Sequence, residues 1–283
     1  MINSVDKQYN DLGKSLLEDG TWVENKRTGK KCLTGETVIF TYDLRTDNFP
    51  IITSRQAPFK LGVAEILGYW QGKTSAADFR KLGTKSWDAN ANLNKSWLEN
   101  PNREGEDSLG KVYGYFGHNF GGVNQFLKVY NNLKDGIDDR GEIITYWKPD
   151  QFDEGCLRPC LHSIQFNLLG EELHMTATQR SCDVPLGLVA NTQECWIMLE
   201  LMARITGNKV GKVTHVINQP HIYEDQIGNF IMQMERGYVE CKPKLTICES
   251  IQTWEDIMEL ENTDKFTLTN YEHLGKIIFP FSE

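Results

Sequence analysis

The stretch Gln179-Arg180-Ser181-Cys182-Asp183-Val184-Pro185-Leu186-Gly187 marks a change of pattern. Glu172–Gln179 before it reads as a strand, which polar or small residues end ahead of an apolar Pro/Gly turn. Toward the N-terminus, Ile164, Phe166 and Leu168 alternate with Gln165 and Asn167, predicting a strand over 162–168. The two strands meet in a hairpin across Leu169-Gly170. Toward the C-terminus, Met198, Leu201, Met202 and Ile205 recur at helical spacing before Gly207, and another strand is read at 211–218. Strands in runs, not in strict alternation with helices, predict an α+β fold with a mixed sheet.

The rest of the chain fits this class. Val5, Tyr9, Leu12 and Leu16 predict a helix ending at Gly20, and Phe126, Val129, Tyr130 and Leu133 one before Gly136. Tyr223, Ile227, Phe230 and Met234 predict a fourth before Gly237. Such stripes read first as core packing. Further strands are expected at 37–42, 142–147 and 244–248. No repeat, low-complexity tract or Pro/Ser linker divides the 283 residues. The expectation is one domain over 1–283 with a loop insertion at about 89–108, rich in Asn and Glu.

Composition narrows the function. Lys+Arg number 30 against 39 Asp+Glu, a net charge of −9. A general nucleic-acid binder would carry the opposite excess, because phosphate neutralisation dominates such binding. At 40% hydrophobic and 11% aromatic, the chain can bury a large core. The N-terminus lacks the apolar run of a secretory signal, and the longest apolar stretches fall short of a membrane span. Seven scattered cysteines then read as reduced thiols in a cytoplasm (a host's, were the chain phage-encoded) and not as a disulfide framework.

Two segments carry chemistry. Arg180-Ser181 presents a guanidinium fork and a hydroxyl, both donors to phosphate oxygens. Cys156, Cys160 and His162 lie close in sequence, but no second ligand pair at finger spacing accompanies them, so no metal is expected. A Cys–His nucleophile pair and buried structural thiols both stay open.

Taken together and in order, the motifs resemble the thymidylate synthase family over nearly the whole chain. Asn25-Lys26-Arg27-Thr28-Gly29 looks like its early phosphate-loop Arg. Ala64-Glu65-Ile66-Leu67 with Trp70-Gln71-Gly72 looks like its Glu-bearing helix, and Ser86-Trp87-Asp88-Ala89-Asn90 like its Trp-Asp segment. Tyr113-Gly114, Pro159-Cys160 and Pro220-His221-Ile222-Tyr223 resemble its Tyr-Gly, nucleophile and ribose motifs. Gln179 to Asp183, with Leu186-Gly187 and Asn191, resembles its most specific signature.

That resemblance implies a large mixed sheet with helices packed on one side and a sheet face forming a homodimer interface. It implies transfer of a one-carbon unit from 5,10-methylenetetrahydrofolate, a co-substrate, to C5 of a pyrimidine nucleotide, with no metal. Cys160 would add to C6 of the base. Arg180 would serve both thiolate and phosphate. Arg27, Ser181 and a partner's Arg140, acting in trans, would complete the phosphate site. Gln179, His221 and Tyr223 would complete the nucleotide site, the last two at the ribose. Asn191 would read the base edge, its amide complementing O4 and N3–H of uracil; it is also a candidate helix N-cap. Glu65 would relay protons around O4, and Tyr113 would help remove the C5 proton. Trp87, Asn90, Asp183 and Gly187 would line the folate side, with Arg55 toward the glutamate tail. The partners expected are small molecules and a second copy, with no nucleic acid and no membrane.

Several positions depart from the family pattern. Its Pro-Cys-His reads Pro159-Cys160-Leu161-His162 here, and its paired Arg reads Arg140-Gly141. Its Phe-Asn reads Ala190-Asn191, and its Gly-Asp-Thr reads Asn218-Gln219-Pro220. Its closing Ala-Val is replaced by an end at Phe279-Pro280-Phe281-Ser282-Glu283. The stretch 146–153 also looks similar to phage deoxycytidylate hydroxymethylases, which points to phage DNA modification. An altered lid would admit water to the methylene intermediate. The expectation is therefore a dUMP 5-hydroxymethylase. The alternatives are thymidylate synthase, then a dCMP or CMP hydroxymethylase, then an inactive nucleotide-binding relative.

Overall fold

Burial alternates along Glu172–Gln179: Leu173, Met175, Ala177 and Gln179 are buried, and the residues between them are half-buried. In a computed structural model, which describes residues 4–26, 29–46 and 48–281, this strand is the centre of a five-stranded sheet. The order is Val38–Asp43, Lys209–Ile217, Glu172–Gln179, Leu161–Leu169, Ile143–Thr145. Glu172–Gln179 and Lys209–Ile217 run parallel and the other pairs antiparallel, so the sheet is mixed. The predicted hairpin is present: Leu169 pairs with Glu172, and Gly170 takes a φ of 66°, the left-handed turn that glycine allows without strain.

The long helix Val189–Thr206 lies on this sheet, against Glu172–Gln179 and Lys209–Ile217, with the Phe59–Trp70 helix on its other side. Being covered twice, it is apolar nearly all round, and Met198, Leu201, Met202 and Ile205 are all buried. Its end is capped by Gly207 in the left-handed conformation. Helices thus pack on one face of the large sheet, and the α+β expectation holds.

The sequence reading differs in places. Tyr223 is not the first turn of a helix. It ends the Pro220–Tyr223 strand, paired with Cys32, and the helix begins at Ile227. A four-stranded sheet of Thr21–Asn25, Lys30–Thr34, Pro220–Tyr223 and Cys182–Asp183 was not predicted. Its strands are short, and Trp22 and Val23 face solvent, so no apolar alternation announces them. The stretch 89–108 includes the helix Lys95–Leu98, follows the start of Asp88–Asn92, and is pinned by the buried Trp97, whose Nε1 donates to Ser108 O at 2.7 Å. Among the described residues, no helix is long and apolar enough to cross a membrane.

Candidate active site

Cys160 occupies the turn just before Leu161–Leu169, where the chain runs beside the end of Glu172–Gln179. Arg180 extends that pairing, its backbone N–H donating to Cys160 O at 2.8 Å. Its guanidinium then folds back over the same turn. Nε donates to Pro159 O at 3.0 Å and Nη2 to Arg158 O at 2.9 Å, while Nη2 lies 3.7 Å from Cys160 Sγ. The Trp147 ring, 5.7 Å away, closes the other side of the guanidinium. Tyr113 Oη accepts from the Cys160 N–H at 2.8 Å. The Cys160 thiol is thus half-buried and set beside a fixed cation. Cys156 is the opposite case: burial pushes its thiol up to about 12. Burial also raises Cys182 and Cys195, which read as packing residues. The displaced His162 packs its ring on Trp147 at 5.8 Å. Burial, then the Arg180 charge, hold it below its usual range, so it is neutral at pH 7.

Asn191 is not the N-cap of its helix, which starts at Val189 behind Leu188. Its amide is instead bonded on both sides. Gln179 Nε2 donates to Asn191 Oδ1 at 2.9 Å, and Asn191 Nδ2 donates to Glu194 Oε2 at 2.9 Å. Gln179 has a fixed direction, because its Nε2 also meets the Ser181 carbonyl at 3.0 Å. Its Oε1 faces His215 Nε2 at 2.9 Å, and His215 Nδ1 faces Tyr42 Oη at 3.1 Å. Burial lowers His215 to about 3, so the ring is neutral and donates from Nε2. A flipped Asn191 would set its NH2 against that of Gln179 and leave buried donors unpaired, at about 1–3 kcal/mol each. The network thus holds the amide in one orientation, with one N–H and one lone pair to spare.

Glu65 is buried on the Phe59–Trp70 helix and accepts from Ser86 Oγ at 2.6 Å. Aromatic rings join it to the cysteine: Tyr113 stacks on Tyr69 at 4.7 Å and meets the buried Trp87 edge-on at 6.1 Å. Asn90 is half-buried on the Asp88–Asn92 helix that Trp87 precedes.

On the other side, Asp183 Oδ1 accepts from Leu186 N at 3.1 Å and Oδ2 from Gln226 Nε2 at 3.0 Å. Burial raises the Asp183 carboxyl, and the Gln226 donor only partly opposes this. Gly187 belongs to a wide turn, Val184–Leu188, and a Cβ there would lie 3.7 Å from Asn191 Oδ1. His221 is buried, with Nδ1 2.9 Å from Gln219 O and its ring 5.1 Å from that of Tyr223. Ser181 is half-buried at the strand end.

The C-terminal segment is seated on this side. Gln226 Nε2 donates to Pro280 O at 3.1 Å and Asn229 Nδ2 to Ile278 O at 2.8 Å. Arg55, buried and bonded to Pro185 O, lies 5.3 Å over the Phe279 ring. Two buried donors, Arg55 Nε on this side and Trp87 Nε1 beside Tyr113, have no partner among the described residues. A polar co-substrate would satisfy such donors.

Not every expected residue joins the group. Arg140 is exposed at the sheet edge with a φ of 69°, its N–H on Asp138 and its carbonyl on Gln165. It makes no described contact with the Cys160 cluster of its own chain. Arg27 lies outside the described residues. Sequence reasoning missed Glu194, His215 and Gln226. Only Glu194 left a signal, a carboxylate three residues after Asn191 in an apolar helix. Among the described residues, no group of three or more His, Cys, Asp or Glu is placed to hold a metal.

Residues 7–283 match the profile of the family described as thymidylate synthase. The thymidylate synthase of Pseudoalteromonas translucida is 47% identical over 281 residues, covering 98% of this chain and 99% of the relative. Those of Colwellia psychrerythraea and Pasteurella multocida are each 48% identical over 282 residues, with the same coverage.

These relatives overturn the hydroxymethylase expectation, and nothing in them supports phage DNA modification. The physical argument behind it fails as well. It assumed that a changed C-terminus loosens the lid, yet Phe279 is 7% exposed and held by Arg55, Gln226 and Asn229 through its segment. The tail sequence of this chain reaches a docked position through these contacts.

Proposed function

The chain belongs to the thymidylate synthase family, and we propose that it converts dUMP and 5,10-methylenetetrahydrofolate to dTMP and dihydrofolate within one catalytic domain. The observation that carries this reading is the Cys160 thiol set against the Arg180 guanidinium, with Asn191 fixed for a uracil edge. The folate, when bound, supplies the methylene carbon and then a hydride.

Arg180 stabilises the Cys160 thiolate, which bonds to C6 and turns C5 into a nucleophilic enolate carbon. Asn191 donates to O4 and accepts from N3–H, holding the negative charge that develops on O4. Tyr113, bonded to the Cys160 backbone, supports removal of the C5 proton, and Glu65 relays protons at O4. The docked C-terminal segment keeps water from the methylene carbon, so hydride and not hydroxide reaches it. The Cys160–C6 bond then breaks and returns the thiolate. His221 and Tyr223 hold the ribose, and Gln179, Ser181 and Arg27 complete the nucleotide site. Trp87, Asn90, Asp183, Gly187 and Arg55 face the folate; the unpartnered Arg55 Nε and Trp87 Nε1 support that assignment. The face of the large sheet away from the helices forms a homodimer. The exposed Arg140, remote from its own Cys160, then serves the partner's phosphate site.

Incubating the protein with dUMP and methylenetetrahydrofolate is expected to give dTMP, with the absorbance rise of dihydrofolate. Hydroxymethyl-dUMP with free tetrahydrofolate would overturn the reading. Base choice is tested separately. Asn191→Asp is expected to move the dCMP/dUMP ratio of kcat/KM toward dCMP by on the order of 10²-fold, since the donor to O4 is lost. An unchanged ratio removes Asn191 from base recognition.

A further inference from the structure

Glu194 is a buried ionisable group that the proposed mechanism leaves unused. It is 2% exposed. One oxygen, Oε2, accepts from Asn191 Nδ2 at 2.9 Å; the other, Oε1, is buried and meets no donor among the described residues. The Phe59–Trp70 helix packs against this side chain, a Cβ at its Gly62 coming within 3.6 Å of Glu194 Cγ, and one turn on it brings the Glu65 carboxyl to interact with Glu194. Two carboxylates cannot sit together in a buried site without a proton between them. Hydrogen-bond directions place that proton. Thr84 Oγ1 donates to Ser86 Oγ at 3.1 Å, and Ser86 Oγ donates to Glu65 Oε1, so that oxygen of Glu65 is an acceptor. Glu194 Oε2 is an acceptor as well, because the Gln179–Asn191 chain delivers an N–H to it. That leaves Glu65 Oε2 and Glu194 Oε1 as positions for the O–H, and Glu194 is the more deeply buried carboxyl, 2% exposed against 9%, so the proton falls to its Oε1.

We propose that Glu194 is a neutral carboxylic acid that donates from Oε1 to Glu65 and accepts at Oε2 from Asn191, a positioning residue tying the base-reading amide to the proton-relaying carboxyl. The inference rests on the proposed roles of Asn191 and Glu65. Its surroundings agree: Tyr69, Tyr113, Tyr146 and Cys195 also face Glu194, and burial raises all four, so they stay uncharged at neutral pH. Burial first, then Glu65, raise the Glu194 carboxyl well above the usual carboxylate range. The bonded series therefore runs from Tyr42 through His215, Gln179, Asn191 and Glu194 to Glu65, each donor meeting an acceptor. Through it, binding of uracil at Asn191 and proton transfer at Glu65 share one rigid element.

Glu194→Gln and Glu194→Leu test this. A glutamine amide reproduces the acid: its carbonyl accepts from Asn191 and its N–H donates to Glu65. Glu194→Gln is expected to keep kcat and KM for dUMP within about threefold, whereas Glu194→Leu, with folding checked by circular dichroism, loses about 10- to 100-fold in kcat. Infrared difference spectra of the wild-type protein against Glu194→Gln are expected to show a protonated-carboxyl band that shifts in deuterium oxide. Equal loss in both variants, full activity in a folded Glu194→Leu, or no such band would each overturn the proposal. If Glu194→Leu does not fold, activity and spectrum of Glu194→Gln still decide. The infrared band needs no turnover. A wild-type protein that makes no dTMP but shows the band would sink the proposed reaction and leave the Glu194 protonation standing.

Discussion

Cys160→Ala is expected to lower turnover by more than about 10⁴-fold, the scale of removing a nucleophile. dUMP should still bind within about tenfold of wild type. The two effects separate because the cysteine contributes little to holding the nucleotide. Arg180 is anchored by the Arg158 and Pro159 carbonyls, and Asn191 by Gln179 and Glu194, so both stay in place without the sulfur. Mass spectrometry of the wild-type protein with 5-fluoro-dUMP and folate should show a covalent adduct on the Cys160 peptide, absent from the variant. Retained turnover, or an adduct on Cys156 or Cys182, would reject the assignment. Those two thiols are buried and raised by burial, which makes them poor nucleophiles.

Arg180→Gln is expected to cost about 10²–10³-fold in kcat/KM, as removal of one fixed charged donor does in other sites. The loss has two sources that can be read apart. Without the cation 3.7 Å from Sγ, alkylation of Cys160 by iodoacetamide at neutral pH should slow. Without the guanidinium, the KM for dUMP should rise, because a phosphate-binding charge is gone. Alkylation at the wild-type rate with KM alone affected would confine Arg180 to the phosphate. Arg180→Lys should rescue only in part: an ammonium cannot reach the Arg158 and Pro159 carbonyls and the sulfur at once. The turn before Leu161–Leu169 depends on those bonds, so the melting temperature of each variant is the control.

Much of the fold was readable because one-sided burial leaves a period. Glu172–Gln179 alternates, and in the helix Ser4–Asp19 the recurring Val5, Tyr9, Leu12 and Leu16 are buried while Lys7, Asp11 and Lys14 are exposed. The short strands at Thr21–Asn25 and Pro220–Tyr223 were not readable. The first exposes Trp22 and Val23, while all four residues of the second are buried, so neither alternates. Lid closure was misjudged for a related reason. Phe279 docks through Arg55, Gln226 and Asn229, residues 50 or more positions away whose approach no local pattern records.

By itself, the sequence determined the α+β class and the family, and it nominated the side chains proposed to react. These depend on residue type and on periods of two or 3.6, which are local. Tertiary structure alone decided which cysteine meets a cation, which way Asn191 points, and that Glu194 abuts Glu65. Those facts depend on directions and distances between side chains brought together from separate elements. Neither the guanidinium at Cys160 nor the proton between two buried carboxyls exists as an interaction until the chain has folded.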